Sequence, residues 1–218
     1  RYQLDYTHSG KPQPGRPAQY HHLKSCMVFR KPVLILPDTF IPHLIMYLRP
    51  CEERHLMYIM DIFNDAIIHS TALYEYRPRT MVQIQEWFEE KRSKDIPVLG
   101  YFDQEDNLLG FATYGDFRPK PAYRFTVEHS VYIHPDHRGK GAGKTLLQAI
   151  ITDIKDRGYH CTIGGIDASN ETSIRLHESL GFVCCGYLRE VGFKFGQWLD
   201  LKFYQLVFDE QSYHGLIF

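Results

Sequence analysis

Residues 131–147 join a β-strand pattern to a helix pattern through a turn with three alternating glycines. The turn and its flanks contain Val131, Tyr132, Ile133, Pro135, Asp136, Arg138, Gly139, Lys140, Gly141, Ala142, Gly143 and Lys144. Glycine has no Cβ, so an anion can approach the backbone closely, and the first amides of the following helix have no intrahelical partner. The helix dipole adds about half a positive charge at this end, and Lys144 adds a full one. This order of elements predicts a site for a diphosphate group.

The glycine spacing distinguishes three kinds of phosphate-binding loop. A dinucleotide-binding loop reads G-x-G-x-x-G early in a βαβ unit, whereas this loop reads G-x-G-x-G and lies past mid-chain. A P-loop reads G-x-x-x-x-G-K-[ST], but Arg138 stands where its first glycine belongs. The third pattern, [RQ]-x-x-G-x-[GA], is matched by Arg138, Gly141 and Gly143. The segment therefore resembles the pyrophosphate loop of the GNAT superfamily of N-acetyltransferases, with an unliganded glycine turn as the alternative.

A second block, residues 170–182, agrees with this resemblance. Asn170 is a favourable N-cap with Ser173 three residues on, and Gly181 suits the left-handed end of a helix. The block is similar to the GNAT motif in which an Asn opens a helix that ends at Leu-Gly-Phe. The resemblance implies that Asn170 and Ser173 contact the cofactor, and that His177, where the family usually has Tyr, faces its thiol. The alternatives are a plain helix cap and a packed helix histidine.

Further blocks narrow the resemblance to the branch of phosphinothricin acetyltransferases and methionine sulfoximine or methionine sulfone acetyltransferases. They lie in order between about residues 47 and 208: Asn64-Asp65-Ala66-Ile67, residues 76–80, Phe117-Arg118, residues 121–123, 126–132 and 189–196, Trp198 and Asp200. The resemblance implies acetyl-CoA as co-substrate, a small amino-acid-like amine as acceptor, no metal, and a homodimer. It implies that acetyl-CoA is bound by Val131, Tyr132, Ile133, Arg138, Gly139, Lys140, Gly141, Ala142, Gly143, Lys144, Asn170 and Ser173.

Acetyl transfer to an amine needs a base, because a free amine near pH 7 is mostly protonated. Glu128 lies three residues before Val131 at the entrance of the predicted cofactor strand. Its counterpart in the branch is proposed as the base, and a structural carboxylate is the alternative. A backbone N–H near Val131 is the candidate donor to the carbonyl oxygen, and His177 is the candidate proton donor to the thiolate. Glu128 and His177 are therefore the predicted catalytic residues.

The acceptor is expected to carry a carboxylate, which arginine binds bidentately. Arg118, in an aromatic, proline-containing loop, is the first candidate for binding this carboxylate. Arg77, in another loop, is the second candidate. The predicted substrate-binding residues are Arg77, Arg118, Glu128, His129 and Ser130. A zinc site at His129, His134 and His137 is disfavoured, because no Cys partner and no helical H-x-x-x-H spacing accompanies them.

Two other functions compete with a small-molecule acetyltransferase. One is an acyl-CoA-binding sensor without turnover, which has no need of a base such as Glu128. The other is a protein or peptide N-acetyltransferase, which needs an open groove. Loop 117–125 and segment 193–198 instead suggest the walls of a small pocket.

Hydrophobic periodicity predicts the order β-α-α-β-β-β-α-β-α-β-β. The predicted strands are 44–49, 97–102, 108–114, 125–133, 161–166, 183–189 and 198–208, and the predicted helices are 52–68, 81–91, 143–157 and one beginning at Asn170. This is the GNAT arrangement, an α/β (α+β) fold with a mixed central sheet. The family's splayed parallel strands would here end near Ile133 and Ile166.

We expect a GNAT domain over residues 44–210, a flexible, basic arm containing Pro and Gly over 1–43, and a tail over 211–218. Residues 1–32 hold six Lys or Arg and one acid, a low acid content that mitochondrial transit peptides share. The formal net charge of −1 gives no reason to expect nucleic acid or a membrane surface as partner. The five cysteines show no disulfide or zinc spacing, which indicates a reducing compartment. We expect the cytoplasm, or mitochondria if the arm is a transit peptide.

Overall fold

The computed structural model describes residues 33–35 and 46–208, which form a mixed β-sheet with helices on both faces. The eight strands are β1 Val33–Ile35, β2 Met46–Pro50, β3 Leu99–Phe102, β4 Leu108–Asp116, β5 Thr126–Ile133, β6 Cys161–Asp167, β7 Val183–Lys194 and β8 Gln197–Val207. The helices are α1 Leu56–His69, α2 Met81–Ser93, α3 Ala142–Asp156 and α4 Glu171–Glu178. Short 3-10 turns lie at Glu53–His55, Pro121–Tyr123 and Pro135–His137.

The strand order in the sheet is β1-β2-β3-β4-β5-β6-β8-β7. Every neighbouring pair is antiparallel except β5 and β6, which are parallel and are connected by α3. The carboxyl ends of two parallel neighbours lie at the same edge of the sheet. The glycine loop after β5 and the turn that begins α4 after β6 therefore lie side by side.

Two apolar cores hold the helices to the sheet, one on each face. The first packs α1 and α2 against β3 and β4 and includes Ile59, Phe63, Ile84, Phe102 and Phe111. The second packs α3 and α4 against the other face and includes Leu146, Leu147, Ile150, Ile154 and Leu176. Tyr132 of β5 joins the first core, whereas Val127, Val131 and Ile133 join the second. Because side chains alternate along a strand, Glu128 shares the Tyr132 face and His129 shares the Val131 face.

The predicted fold class is confirmed, and the order of elements from β2 to β8 is the predicted one. β7 runs to Lys194 rather than ending at residue 189, because a bulge between Leu188 and Gly192 lets it continue pairing with β8. β1 lies inside the predicted arm 1–43 and pairs with β2. The rest of that arm and the tail 211–218 lie outside the described residues.

Within the described ranges, no helix is long and apolar enough to cross a membrane. The cysteines described there, Cys51, Cys161, Cys184 and Cys185, are all free thiols. Burial raises the pKa of the Cys51 thiol to about 12, so this cysteine stays protonated near neutral pH.

Candidate active site

The parallel strands β5 and β6 separate soon after they begin. They pair only at Thr126↔Cys161, Val127↔Thr162 and Glu128↔Ile163. Beyond that point β5 stays paired with β4 as far as Ile133, and β6 stays paired with β8 as far as Asp167. The gap between the two strands is the splay that the GNAT resemblance implies, and it opens directly after Glu128.

Backbone groups of β5 point into this gap. The N–H of His134 bonds to Leu109 on the β4 side, whereas the carbonyl of Phe125 accepts bonds from residues 160 and 161 on the β6 side. Since successive residues of a strand direct their backbone groups to opposite sides, the odd-numbered residues face β6. The N–H and C=O of Val131 therefore point into the gap, beyond the last pairing with β6.

The loop at residues 138–144, called here the cofactor loop, begins α3. Gly139 and Gly141 have φ values of 73° and 88°, in the left-handed region that favours glycine. Apart from the glycine itself and the two residues next to it in the chain, no atom lies within 4 Å of the position that a Cβ would take at either residue. Gly141 is the N-cap of α3 and no side chain caps this end, so the first amides of α3 are left for another acceptor. These features fit the diphosphate of acetyl-CoA.

Side chains tie the cofactor loop to its surroundings. Arg138 donates from Nε to the carbonyl of Ile133 at 3.1 Å and pairs through its guanidinium with Asp65 of α1. Lys140 donates from Nζ to the carbonyl of Asp136 at 2.7 Å. Lys144 is exposed in the first turn of α3, where its charge adds to that of the helix N-terminus.

The turn after β6 places Asn170 beside this loop region. The Asn170 Oδ1 accepts the backbone N–H of Ser173 at 3.0 Å, which confirms the predicted N-cap of α4. Gly181, beyond the end of α4, has a φ of 87°, as expected for a left-handed residue there. The contacts of Asn170 and Ser173 with acetyl-CoA stay predictions.

Glu128 lies where the strands begin to separate. Its Oε1 is 3.2 Å from the position that a Cβ would take on Gly165, so the carboxylate lies against the exposed backbone of β6. Burial raises the pKa of Glu128, and the positive charge of Arg118 partly opposes that increase. A raised pKa suits a carboxylate that must accept a proton near neutral pH.

His129 and His177 lie together on the opposite face of β5, both buried. Their Nε2 atoms are 3.0 Å apart, His129 Nδ1 is 2.9 Å from Thr162 Oγ1, and His177 Nδ1 is 2.7 Å from the Ser173 carbonyl. Burial lowers the pKa of both rings, to about 3 for His129, where the neighbouring His177 adds to the effect. The structure thus brings His129 next to His177 and away from Glu128, with which the sequence reasoning had grouped it.

Ser130 and Tyr132 continue the Glu128 face of β5. The Tyr132 ring packs against Phe63 and Phe111, with ring centroids 4.9 and 5.4 Å apart. Burial raises the pKa of Tyr132, and a hydrogen bond with the Ser130 side chain opposes that increase. Tyr132 is therefore a neutral, packed wall residue of this face.

The predicted arginines differ in their surroundings. Arg118 is exposed, lies 4.9 Å from the Phe117 ring centroid, and is close enough to Glu128 to affect its pKa. Arg77 is exposed. Arg79, which sequence reasoning did not select, turns inward and pairs with Glu75 through two hydrogen bonds. Only the folded loop distinguishes Arg77 from Arg79, because both lie in the same short block.

The segment between α1 and α2 is called here the substrate loop (residues 70–80), because it contains the predicted substrate contact Arg77. It docks on the hairpin of β7 and β8. The buried Lys194 donates from Nζ to the carbonyls of Ser70 and Leu73 at 2.8 and 2.6 Å. Tyr76 donates its hydroxyl to the carbonyl of Phe193 at 2.5 Å. Burial lowers the pKa of Lys194. The loop and the hairpin therefore form one continuous wall, and Lys194 is a residue of it that the sequence did not reveal.

The substrate loop also reaches the end of β6. Tyr74 donates its hydroxyl to Asp167 Oδ2 at 3.1 Å, and its ring covers Gly192, where a Cβ would lie 2.6 Å away. Asp167 in turn accepts the N–H of Ser169 at 2.9 Å in the turn before α4. Between residues 46 and 208, no three His, Cys, Asp or Glu side chains are grouped so as to hold a metal ion.

Comparison with known proteins agrees with this geometry. Residues 57–182 match the family model described as the acetyltransferase (GNAT) family. An L-methionine sulfoximine/L-methionine sulfone acetyltransferase of Pseudomonas paraeruginosa is 44% identical over 151 residues, which cover 69% of this chain and 88% of that protein.

Two solved structures of relatives contain the cofactor. A Salmonella typhimurium structure with acetyl-CoA has a TM-score of 0.74 and 39% identity, and the match covers 77% of this chain and 96% of that one. A phosphinothricin acetyltransferase of Sinorhizobium meliloti in complex with acetyl-CoA has a TM-score of 0.72 and 33% identity, and the match covers 74% and 88%. The splayed strands, the glycine cradle and these matches together make the chain a member of the GNAT family of acetyltransferases.

Proposed function

We propose that this enzyme transfers an acetyl group from acetyl-CoA to the amine of a small amino-acid-like substrate of the phosphinothricin, methionine sulfoximine or methionine sulfone type. The observation that carries the proposal is the position of Glu128, a carboxylate of raised pKa at the point where β5 and β6 separate. A sensor that only binds acyl-CoA has no need of a base at this point.

Separate groups of this chain carry out the separate tasks of acetyl transfer. Glu128 accepts the proton of the attacking amine, directly or through water, which leaves the nitrogen lone pair free to attack the thioester. The N–H of Val131 points into the gap and is the candidate donor to the carbonyl oxygen as negative charge develops there. The cofactor loop holds the diphosphate through backbone amides and Lys144. Bound acetyl-CoA supplies the activated acetyl group: its C–S bond breaks as the new C–N bond forms, and CoA leaves as a thiolate that takes a proton from solvent.

Recognition of the acceptor is assigned to the Glu128 face of β5 and the loops around it. Arg118 supplies a guanidinium near Glu128 that can pair with the acceptor's carboxylate, and Arg77, Ser130 and His129 are the other predicted contacts. His129 would reach an acceptor only if its buried hydrogen bonds to Thr162 and His177 were broken.

The size of the acceptor is inferred from the wall built by the substrate loop and the β7–β8 hairpin. Lys194 and Tyr76 fasten these segments together, which supports a continuous wall over an open peptide groove. The relatives named for methionine sulfoximine, methionine sulfone and phosphinothricin support the same substrate class. A protein or peptide N-acetyltransferase is the second candidate.

We further propose a cytoplasmic homodimer. β7 is the last strand of the sheet, and it exposes Val183, Tyr187, Leu188, Val191 and Phe193. An edge strand with this much exposed apolar area can pair with another protein surface. Aromatic residues are also enriched at protein interfaces. A second copy of this chain is the partner that the resemblance implies.

The direct test follows thiol release from acetyl-CoA with a panel of acceptors. Methionine sulfoximine, methionine sulfone and phosphinothricin should support turnover, whereas peptides with free N-termini and spermidine should not. A glutamate control, whose planar side-chain carboxylate replaces the tetrahedral sulfone, sulfoximine or phosphinate group, measures selectivity for the tetrahedral group. Turnover with peptides only would favour the second candidate, and CoA binding without any turnover would favour a sensor.

A further inference from the structure

Two consecutive residues of α1 contact the two ligand-binding loops. Asn64 bonds to the end of the substrate loop, and Asp65 bonds to the beginning of the cofactor loop. Neither residue has a role in the chemistry proposed above.

Asn64 fixes the backbone of the substrate loop where it enters α2. Its Nδ2 donates to the Arg79 carbonyl at 3.0 Å, and its Oδ1 accepts the Arg79 N–H at 2.7 Å. The next residue, Thr80, is the N-cap of α2 and forms a capping box with Gln83. A single amide thus holds both backbone groups of Arg79, whose side chain bonds to Glu75 within the same loop.

Asp65 performs the corresponding role for the cofactor loop. Its carboxylate, about one-fifth exposed, pairs with the Arg138 guanidinium, and it is also 3.1 Å from the His69 ring. Arg138 donates at the same time to the Ile133 carbonyl at the end of β5. The first residue of the cofactor loop is therefore linked both to the strand that precedes it and to α1.

Phe63, the preceding residue, completes the connection through packing. Its ring contacts Tyr132 of β5, and the Arg79 guanidinium lies 4.1 Å from its centroid. A regular helix holds three consecutive residues in a rigid relationship. Ordering one loop therefore restricts the motion of the other without a large change of shape, and such a restriction is sufficient to couple two binding sites.

We propose that Asn64 and Asp65 are positioning residues that couple the two sites: CoA bound at the cofactor loop orders the substrate loop through α1 and so prepares the acceptor pocket. The proposal rests on the proposed function in two respects, namely that residues 138–144 bind CoA and that residues 70–80 line the acceptor pocket. By reciprocity, an acceptor bound at the substrate loop strengthens CoA binding by the same factor.

Hydrogen exchange of the amides in residues 70–80, measured with and without saturating CoA, tests the coupling without an acceptor. In the wild type, CoA should slow exchange in this loop by ~10-fold. Asp65→Asn removes the ion pair with Arg138, and Asn64→Asp removes the donor to the Arg79 carbonyl while keeping the size of the side chain. In either variant the effect of CoA on residues 70–80 should fall below ~2-fold.

The matched control is Asp61→Asn, which makes the same charge change at an exposed position one turn earlier on α1. It should retain the full wild-type response. Calorimetry establishes saturation with CoA for each variant. CoA binding without slower exchange in the wild-type loop, or an unchanged response in both Asp65→Asn and Asn64→Asp, would overturn the coupling alone. Failure of the wild type to bind CoA would overturn the proposed function together with it.

Discussion

His129 of β5 and His177 of α4 share a hydrogen bond between their Nε2 atoms, with each residue about 5% exposed. His177 must donate from Nδ1 to the Ser173 carbonyl, since a carbonyl only accepts. In the neutral pair its Nε2 is then the acceptor, so His129 donates from Nε2 and accepts the Thr162 hydroxyl at Nδ1. As long as this arrangement holds, neither nitrogen of His177 is left to protonate a thiolate.

The first prediction concerns this pair. We expect His177→Gln, which can still accept from His129, to keep kcat within ~10-fold of wild type, because the bonds at both nitrogens favour the packed-histidine alternative. Steady-state kinetics with saturating acetyl-CoA provide the measurement. A fall of two orders of magnitude, with normal thermal stability and CoA affinity, would instead support His177 as the proton donor.

The same pair predicts a dependence of stability on pH. Both rings have a pKa below the ordinary 6.5 in the folded chain, so the unfolded chain binds more protons as pH falls below that value. The contribution of these two histidines to the free energy of unfolding is therefore fully present above about pH 6.5, and it is lost as the pH falls below that value. His129 alone, with its pKa of about 3, should cost roughly 2 kcal/mol between pH 7.5 and 5. Urea unfolding at both pH values should show a smaller loss for a His129→Gln, His177→Gln double variant.

Gly164 and Gly165 of β6 allow a paired experiment. A Cβ on Gly164 would lie 3.0 Å from His129 Cε1, whereas one on Gly165 would lie 3.2 Å from Glu128 Oε1. Gly164→Ala should lower stability by about 1–3 kcal/mol, because the buried imidazoles have no room to move. Gly165→Ala displaces only the end of a side chain, so we expect near-normal unfolding but a kcat about 10-fold lower. Identical effects of the two changes would contradict the assignment of opposite faces.

Glu128→Gln keeps the shape of the side chain but removes its capacity to accept a proton. We expect kcat to fall by ~10²-fold or more, with nearly unchanged affinity for acetyl-CoA. A pH–rate profile of the wild type should rise through a pKa above the ordinary range of glutamate, as burial of Glu128 requires. Wild-type activity of Glu128→Gln from pH 6 to 9 would make Glu128 a structural carboxylate.

Gly141→Val tests the cofactor loop. The side chain would occupy the open space above the cradle and would strain a backbone with a φ of 88°. CoA affinity should fall by at least ~10²-fold, because the diphosphate can no longer approach the amides. Gly158→Val, at a φ of 81° after α3, imposes similar strain away from the loop and serves as the control. Equal CoA affinity in the two folded variants would contradict the assignment of the cofactor loop as the diphosphate site.

Local patterns were sufficient to predict the order of the elements and the glycine turn that begins α3. The Asn170 cap and the glycine turn depend on residues close in sequence, and both are where the spacing placed them. Strand alternation also separates Glu128 from His129, so the direction of His129 could have been inferred from the sequence. The position of Lys194 could not be inferred from the sequence, because the carbonyls to which its ammonium donates are more than 120 residues away in the chain. For the same reason, hydrophobic periodicity does not predict the hydrogen bonds and the ion pair by which Asn64 and Asp65 contact loops that are distant in sequence.

The last prediction concerns assembly, and its basis is the tip of the β7–β8 hairpin. Phe195 has a φ of 53° and is 58% exposed, next to Phe193 and Trp198, whose rings pack at 5.1 Å. Phe195 and Gly196 are the two residues of the tight turn between β7 and β8, and both have the positive φ that such a turn requires. The turn leaves the Phe195 ring in solvent, and aromatic residues are enriched at interfaces. Phe195→Glu should therefore convert a dimer into a monomer in light scattering and lower activity together. Val82→Glu places the same charge at an exposed apolar residue of α2 and should leave the mass unchanged. If Phe195→Glu lowers activity while the mass in solution stays that of the wild type, these rings serve only as a wall of the substrate pocket.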